Sequence, residues 1–156
     1  ESERLTVRVK DVEKYSIKWE NRKSTYYPRD LAIAYQGQKG HKLYFPYRDK
    51  PRFKSDIGKE DVWVTERNPK RWIITKSHKD FLFIEKLTED TEYSIGMVQS
   101  ENSFPTNKLW EDAYDLNVLF DNDKSGIIGM DNFRDFYLNS KSLILPTEEK
   151  DLTDFA

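Results

Sequence analysis

A mainly β, α+β domain is the fold class this sequence predicts, on three observations. Short runs of β-branched and aromatic residues recur along the chain, brief helical patterns stand between them, and Gly, Pro, Asn and Asp mark the joins. Short strands with brief helices between them point to a barrel-like domain. With 156 residues the chain can bury a real core as one domain. Its 14% aromatic content argues against disorder, which is normally poor in such residues.

Residues 4–10 alternate and predict a strand, as do residues 15–19 (YSIKW). Residues 20–25 (ENRKST) read as a polar loop. Pro28 is placed to open a short helix, YPRDLAIAY, because a missing N–H costs little in a first turn. Gly37 and Gly40 would end it. Residues 42–48 predict a strand whose Pro46 favours an edge or a bulge, and residues 49–60 look turn-like and basic. Two β-rich runs, 61–66 (DVWVTE) and 71–75 (RWIIT), flank RNPK and predict a hairpin. Ser77 with Asp80 offers a weak capping box to a one-sided helix, SHKDFLFIEKL, ending near Leu87. An acidic turn leads to a strand at 93–99, and a polar loop containing Pro105 covers 100–108. Stretches 115–120 and 126–129 read as β-rich and precede a short helix around MDNFRDFYL. The tail after Lys141 is acidic and expected to fray, which sets the boundaries at 1–141 for the domain and 142–156 for the tail.

The charge is divided along the chain. Residues 1–86 hold 21 Lys/Arg against 13 Asp/Glu, whereas residues 87–156 hold 5 against 15. A basic half rich in aromatics is the electrostatic footprint of a polyanion partner. The plainer reading is that the fold interleaves the two halves in space. The absence of Cys excludes disulfides, thiol nucleophiles and thiolate zinc sites, and fits a reducing, cytoplasmic setting. Only His41 and His78 are present, so His-rich metal sites are not expected either. No apolar run approaches membrane-spanning length, and a start at Glu1, Glu3 and Arg4 is no signal peptide. Because the first residue is not Met, the chain is expected to be a piece of something longer.

Catalytic motifs are missing: there is no GxSxG, no Walker loop and no Gly-rich dinucleotide fingerprint. Glu148 and Lys150 form the one Glu-x-Lys fragment of nuclease type, without an acidic partner on a preceding strand. The fragment is therefore expected to bind rather than catalyse, with no cofactor. One rival motif is DNDKSGIIGMDN, residues 121–132, which follows much of an EF-hand loop. Asp121, Asp123 and Ser125 fall at ligand positions 1, 3 and 5, but Asn132 stands where calcium needs a bidentate Glu. A turn rich in Asp, Asn, Ser and Gly is common in its own right.

The middle of the chain, DVWVTERNPKRWIITKSHKDFLFIEKLTEDTEYSIGMV, resembles B3-like DNA-binding domains in its order of strand, turn, strand, capped helix, acidic turn and strand. YYPRDLAIAY is similar to the first helix of that family. The two ends, SERLTVRV and SGIIGMDNFRDFY, look like its restriction-endonuclease branch (BfiI and NgoAVII type), related to plant B3 domains. The resemblance implies a seven-stranded pseudobarrel with short flanking helices, two arms gripping the major groove, and sequence-specific recognition of double-stranded DNA. It further implies that this is the target-recognition domain of a bacterial restriction-modification enzyme whose nuclease domain or subunit lies elsewhere.

Carried over by position, one arm is Asn21, Arg22, Lys23, Ser24 and Thr25 with Glu20. The other is the turn Glu66, Arg67, Asn68, Pro69, Lys70 and Arg71. Arg can donate two hydrogen bonds to guanine and Asn can pair with adenine, while Lys, Ser and Thr more often hold phosphates. The plainer reading is that RNPK is simply a soluble hairpin tip, since such tips are usually polar and often basic. A third cluster, Arg48, Lys50, Arg52 and Lys54, is interleaved with Tyr47 and Phe53. Basic residues among aromatics can suit single-stranded nucleic acid, although those rings can also serve as core cover with the cations on phosphates. The competing classes are a calcium-binding EF-hand-like module and a protein-interaction domain.

Overall fold

The computed structural model describes residues 4–8, 31–36, 41–47, 49, 52–55, 58–146, 149, 150 and 152, and its backbone is organised in two sheets. The chain divides into two units, residues 1–61 and residues 62–156.

The first unit holds a four-stranded sheet of order β1-β2-β3-β4, built from β1 (Arg4–Arg8), β2 (Leu31–Gln36), β3 (His41–Tyr44) and β4 (Phe53–Ser55). All of its pairings are antiparallel. The expected helix over YPRDLAIAY is corrected here, since its second half is strand β2. Ala34 stands opposite Leu5 on one side and Leu43 on the other, so this segment is laddered along both edges. Two ladders outweigh the modest helical preference of Leu and Ala, which is only a weak prior. Strand β3 stops before Pro46, which has no N–H to give a ladder. Strand β4 falls in the segment read as a turn. The expected strand at 15–19, the loop at 20–25, and Gly37 and Gly40 lie outside the described residues.

The second unit has a five-stranded sheet of order β5-β7-β6-β8-β9. Its strands are β5 (Trp63–Thr65), β6 (Arg71–Thr75), β7 (Ser94–Met97), β8 (Asp115–Val118) and β9 (Ser140–Ser142), with helices α1 (His78–Leu87) and α2 (Lys124–Phe136). Strands β7, β6, β8 and β9 run parallel, and β5 is antiparallel to β7. The predicted hairpin is therefore absent. Strands β5 and β6 do form where expected, but β7 lies between them and pairs with both. All four residues of β7 are buried, which suits a strand covered on both faces and flanked on both edges.

Helix α1 is capped at Ser77 by backbone geometry alone, without the side-chain bond a capping box requires. Helix α2 takes over the stretch 126–129 that reads as β. Its buried residues Gly126, Gly129, Met130 and Phe133 recur at three and four positions, which is one helical stripe. The Asp123 side chain starts it by accepting a hydrogen bond from the Gly126 N–H at 2.8 Å. Phe133 and Tyr137 join Trp72, Ile74, Trp110, Leu116, Val118 and Met130 in the main core cluster. The Tyr137 hydroxyl, buried there, donates to the Pro105 carbonyl.

These two sheets correct the expected seven-stranded pseudobarrel. The fold is a mixed α+β one, and its second unit is an open, mainly parallel sheet with connecting helices. A strand followed by a helix and a parallel strand cannot close into a barrel of hairpins.

Candidate functional site

Topology singles out one end of the second sheet. From β6 the chain passes through α1 to β7 on one side, whereas from β8 it passes through α2 to β9 on the other. The crossovers thus leave in opposite directions from the neighbouring strands β6 and β8. In open α/β sheets, ligands bind beyond the carboxyl ends of the strands at such a switch point.

Charged side chains converge there from the ends of four strands. Lys76 follows β6, Glu101 follows β7, Asp121 and Asp123 follow β8, and Lys150 comes from the segment after β9. The Lys76 ammonium lies 3.0 Å from Asp121 Oδ2 and 3.2 Å from Glu101 Oε2. Lys150 approaches Asp121 Oδ2 at 3.5 Å and Asp123 Oδ2 at 3.3 Å. The inner pair is well shielded, with side-chain exposures of 19% for Lys76 and 9% for Asp121, whereas Lys150 is 59% exposed. Ser125, in the first turn of α2, donates its hydroxyl to Glu101 Oε1 at 2.9 Å.

Two glycines let α2 come this close. A Cβ on Gly126 would collide with the carbonyl oxygen of Asp121, and one on Gly129 would stand 2.5 Å from the Glu101 Cβ. The helix start, the Asp121 backbone and the Glu101 turn can meet only because neither position carries a side chain.

Electrostatics favours the charged state of the cluster. Burial works against the Lys76 ammonium, but hydrogen bonding and attraction from Asp121, with Glu101 added, outweigh it and hold its pKa above the ordinary lysine value. Burial likewise opposes ionised Glu101, yet a backbone hydrogen bond, the Ser125 hydroxyl and Lys76 together bring its pKa below the usual glutamate value. Asp123 is lowered chiefly by the Gly126 N–H, and Lys150 is raised chiefly by its bond to Asp123. None of these shifts moves a group toward neutrality, where a general acid or base works best. Among the described residues no group of three or more His, Cys, Asp or Glu side chains is arranged to hold a metal ion. The carboxylates of this cluster face lysines instead.

This geometry corrects the EF-hand reading of residues 121–132. Helix α2 begins at Lys124, so positions 5 to 12 of the supposed loop, from Ser125 to Asn132, are helical and cannot wrap an ion. Asp121 and Asp123 are nonetheless important residues, with lysines as their partners.

The fold is that of known primase structures. The chain resembles the zinc-binding and RNA polymerase domains of the Aquifex aeolicus primase, at TM-score 0.63 and 14% identity over 92% of this chain and 41% of that one. It is similar, at TM-score 0.61 and 12% identity, to a chain in the bacteriophage T7 lagging-strand DNA polymerase complex with primase domains of two gp4 subunits bound to an RNA/DNA hybrid and dTTP. That match covers 99% of this chain and 87% of the other. A DNA primase domain from Pseudomonas aeruginosa matches at TM-score 0.56 and 14% identity, over 90% of this chain and 51% of that one. This chain thus spans about two fifths of the Aquifex chain it matches. No protein-family model matches the sequence, and no curated protein matches it significantly.

The likeness overturns the B3-like, restriction-endonuclease resemblance. With it go sequence-specific major-groove target recognition and the restriction-modification setting. The pattern of strand, turn, strand, helix and strand is common to both folds, but here the second strand runs parallel to the third.

The residues expected to read bases are held by the protein itself. The Arg67 guanidinium donates to the Tyr93 carbonyl at 2.9 Å, the Thr88 hydroxyl at 3.1 Å and the Glu85 carbonyl at 3.3 Å. Asn68 uses its side-chain oxygen to accept from the Lys70 N–H, closing the turn, while the Lys70 ammonium donates to the Asp112 carbonyl. Arg71 lies over the Tyr93 ring, 4.3 Å from its centroid, and pairs with Glu92 and Asp115. Glu66 and Pro69 are exposed. Asn21, Arg22, Lys23, Ser24, Thr25, Arg48 and Lys50 lie outside the described residues. Arg52 is exposed and Lys54 half-buried, both beside Phe53. Sequence reasoning missed Lys76 and Glu101 altogether, and met Lys150 only in a Glu-x-Lys fragment set aside with the tail. The available signal was a strand–loop–helix unit repeated at 71–87 and 115–136, which brings strand ends together in a parallel sheet.

Proposed function

We propose that this chain is a nucleic-acid-binding domain of the primase type that holds its ligand without metal-dependent chemistry of its own. The observation that carries this reading is Lys76 at the switch point. In a fold of this type, the carboxylates at the strand ends are already matched by a tethered ammonium, with Lys150 as a second one. A cation entering that cluster must displace Lys76, at the cost of an ion pair shielded from water.

The charge supports a nucleic-acid partner and assigns the contact. Residues 1–61 carry 15 Lys/Arg against 10 Asp/Glu, and residues 62–156 carry 11 against 18. Phosphate neutralisation therefore belongs to the first unit. A bacterial cytoplasmic setting belongs to the same proposal, since the similar structures come from bacteria and a bacteriophage. Among the described residues no helix is long and apolar enough to cross a membrane.

Fluorescence anisotropy with labelled single-stranded DNA, duplex DNA and an RNA/DNA hybrid tests the reading. Binding that weakens steeply with salt, and no enriched site in a randomised duplex pool, is the expected result. Failure to bind any of the three polymers at low salt overturns it. Template-directed nucleotide incorporation by the purified chain with magnesium or manganese would overturn the binding-only part.

A further inference from the structure

The outer face of the hairpin β3–β4 carries an arrangement that the switch-point cluster does not use. Leu43 is fully buried, so its neighbours Lys42 and Tyr44 point to the opposite face of the sheet. Register places Tyr44 opposite Phe53 and Lys42 opposite Ser55, so Lys42, Tyr44 and Phe53 share that face. Phe53 is 53% exposed. It is also fixed: its ring stacks on Tyr44 with centroids 4.9 Å apart and planes at 26°. The Lys42 ammonium stands 5.1 Å from the Phe53 ring centroid. Arg52, directly before Phe53, is exposed, and Tyr47, in the connection from β3 to β4, is 84% exposed.

A single exposed aromatic needs no explanation. Two exposed rings within a few residues, one of them held by a third ring with a cation beside it, do need one. Burial of the rings against a protein partner would desolvate Lys42 and Arg52, whereas a polyanion would be attracted by both. Base faces are free only in a single strand, since a duplex keeps them stacked on one another.

We propose that Phe53, backed by Tyr44, is a stacking platform for a base of single-stranded nucleic acid, with Lys42 and Arg52 on the adjoining phosphates and Tyr47 as a second ring. This assignment rests on the nucleic-acid reading above and names where the strand binds. Every base has a π-face, so the platform accepts any sequence. Neutralising the phosphates makes affinity fall with salt, while the stacking contribution is independent of salt.

The test compares the full chain with Phe53→Ala and Phe53→Trp, using labelled oligo(dT) and oligo(rU) of equal length and a duplex control. Phe53→Ala is expected to weaken both single strands about tenfold or more, as the loss of one stacked base implies. Its salt slope and its duplex binding should stay as in wild type, and Phe53→Trp should bind at least as well as wild type. Lys42→Gln should flatten the salt slope by roughly one phosphate contact. A second measurement does not depend on how the variants fold: photocrosslinking of iodouracil-containing single strands to the wild-type chain should label the peptide carrying Phe53. Wild-type affinity in Phe53→Ala, or crosslinks confined to other peptides, overturns the platform and leaves the nucleic-acid reading intact. Failure of the wild-type chain to bind any nucleic acid overturns both.

Discussion

Lys76 stands among carboxylates, and its removal exposes how much of the local structure depends on it. Lys76→Met leaves Asp121 and Glu101 without their shared counter-charge in a shielded place. The expected loss is about 3 kcal/mol, the lower end for breaking a buried pair, read by urea denaturation. Its pH dependence has a definite sign. Glu101 has a lowered pKa in the folded chain, so its contribution is present above the ordinary glutamate value and is lost as pH falls through the folded value. Lys76 has a raised pKa, so its contribution is present below the ordinary lysine value and is lost as pH rises through the folded value. The gap between wild type and Lys76→Met should therefore be flat across neutrality. It should narrow in acid below the ordinary carboxylate range, and again in alkali above the ordinary lysine range. Arg67 offers a contrasting case at the same scale. Its guanidinium is half-buried and gives three hydrogen bonds to the segment 85–93, and bonds made by a charged group contribute about 1.5–3 kcal/mol each at most. Arg67→Ala should lower the urea midpoint by the equivalent of about 2 kcal/mol and leave nucleic-acid affinity unchanged in the anisotropy titration.

Among the elements, the start of α2 carries the most information. Asp123 caps the helix, and Asp123→Ala should cost about 1 kcal/mol for the lost cap, with a further small effect from Lys150. Gly126→Ala is expected to be worse, at about 1–3 kcal/mol for forced overpacking, because the clash is with the Asp121 backbone rather than a movable side chain. Circular dichroism melts of the two variants check both. The same element shows what could be read from sequence and what could not. Periodicity and turn residues were enough to locate α1 and the strands β5, β6, β7 and β8 to within a few residues. The stretch 126–129 misled because two adjacent Ile residues resemble a strand, whereas here Ile127 and Ile128 face solvent on a capped helix. Strand β2 misled for the converse reason, since good helix formers were laddered on both edges. The site itself was not legible, because its members are far apart in sequence and meet only through strand order. Parallel pairing of β6 with β7 is signalled only by the order strand, helix, strand, and the residues of the two strands do not record it.

For the whole molecule, the charge division seen along the sequence only partly follows the boundary between the units: the basic stretch runs on to residue 86, yet the first unit still carries the basic surplus and the second the acidic one. The acidic second unit, residues 62–156, has its own core cluster. Expressed alone, it should unfold cooperatively in calorimetry and bind single-stranded DNA at least tenfold more weakly than the full chain, because the phosphate contacts are assigned to the other unit. Equal affinity for the isolated fragment would place the interface in the acidic unit instead. The strand order has a kinetic meaning as well. During synthesis β5 and β6 emerge first, yet each must wait for β7, which takes its place between them. Direct pairing of β5 with β6 is the easy early mistake, because a turn already joins them and local contacts close fastest. The native order is reached only if these two sequence neighbours stay unpaired with each other, and edge strand β5 can join the sheet once β6 has paired with β7. In the folded chain the Arg67 bonds to residues 85–93 tie the turn after β5 to the segment that precedes β7, which a directly paired β5–β6 hairpin would have no reason to do.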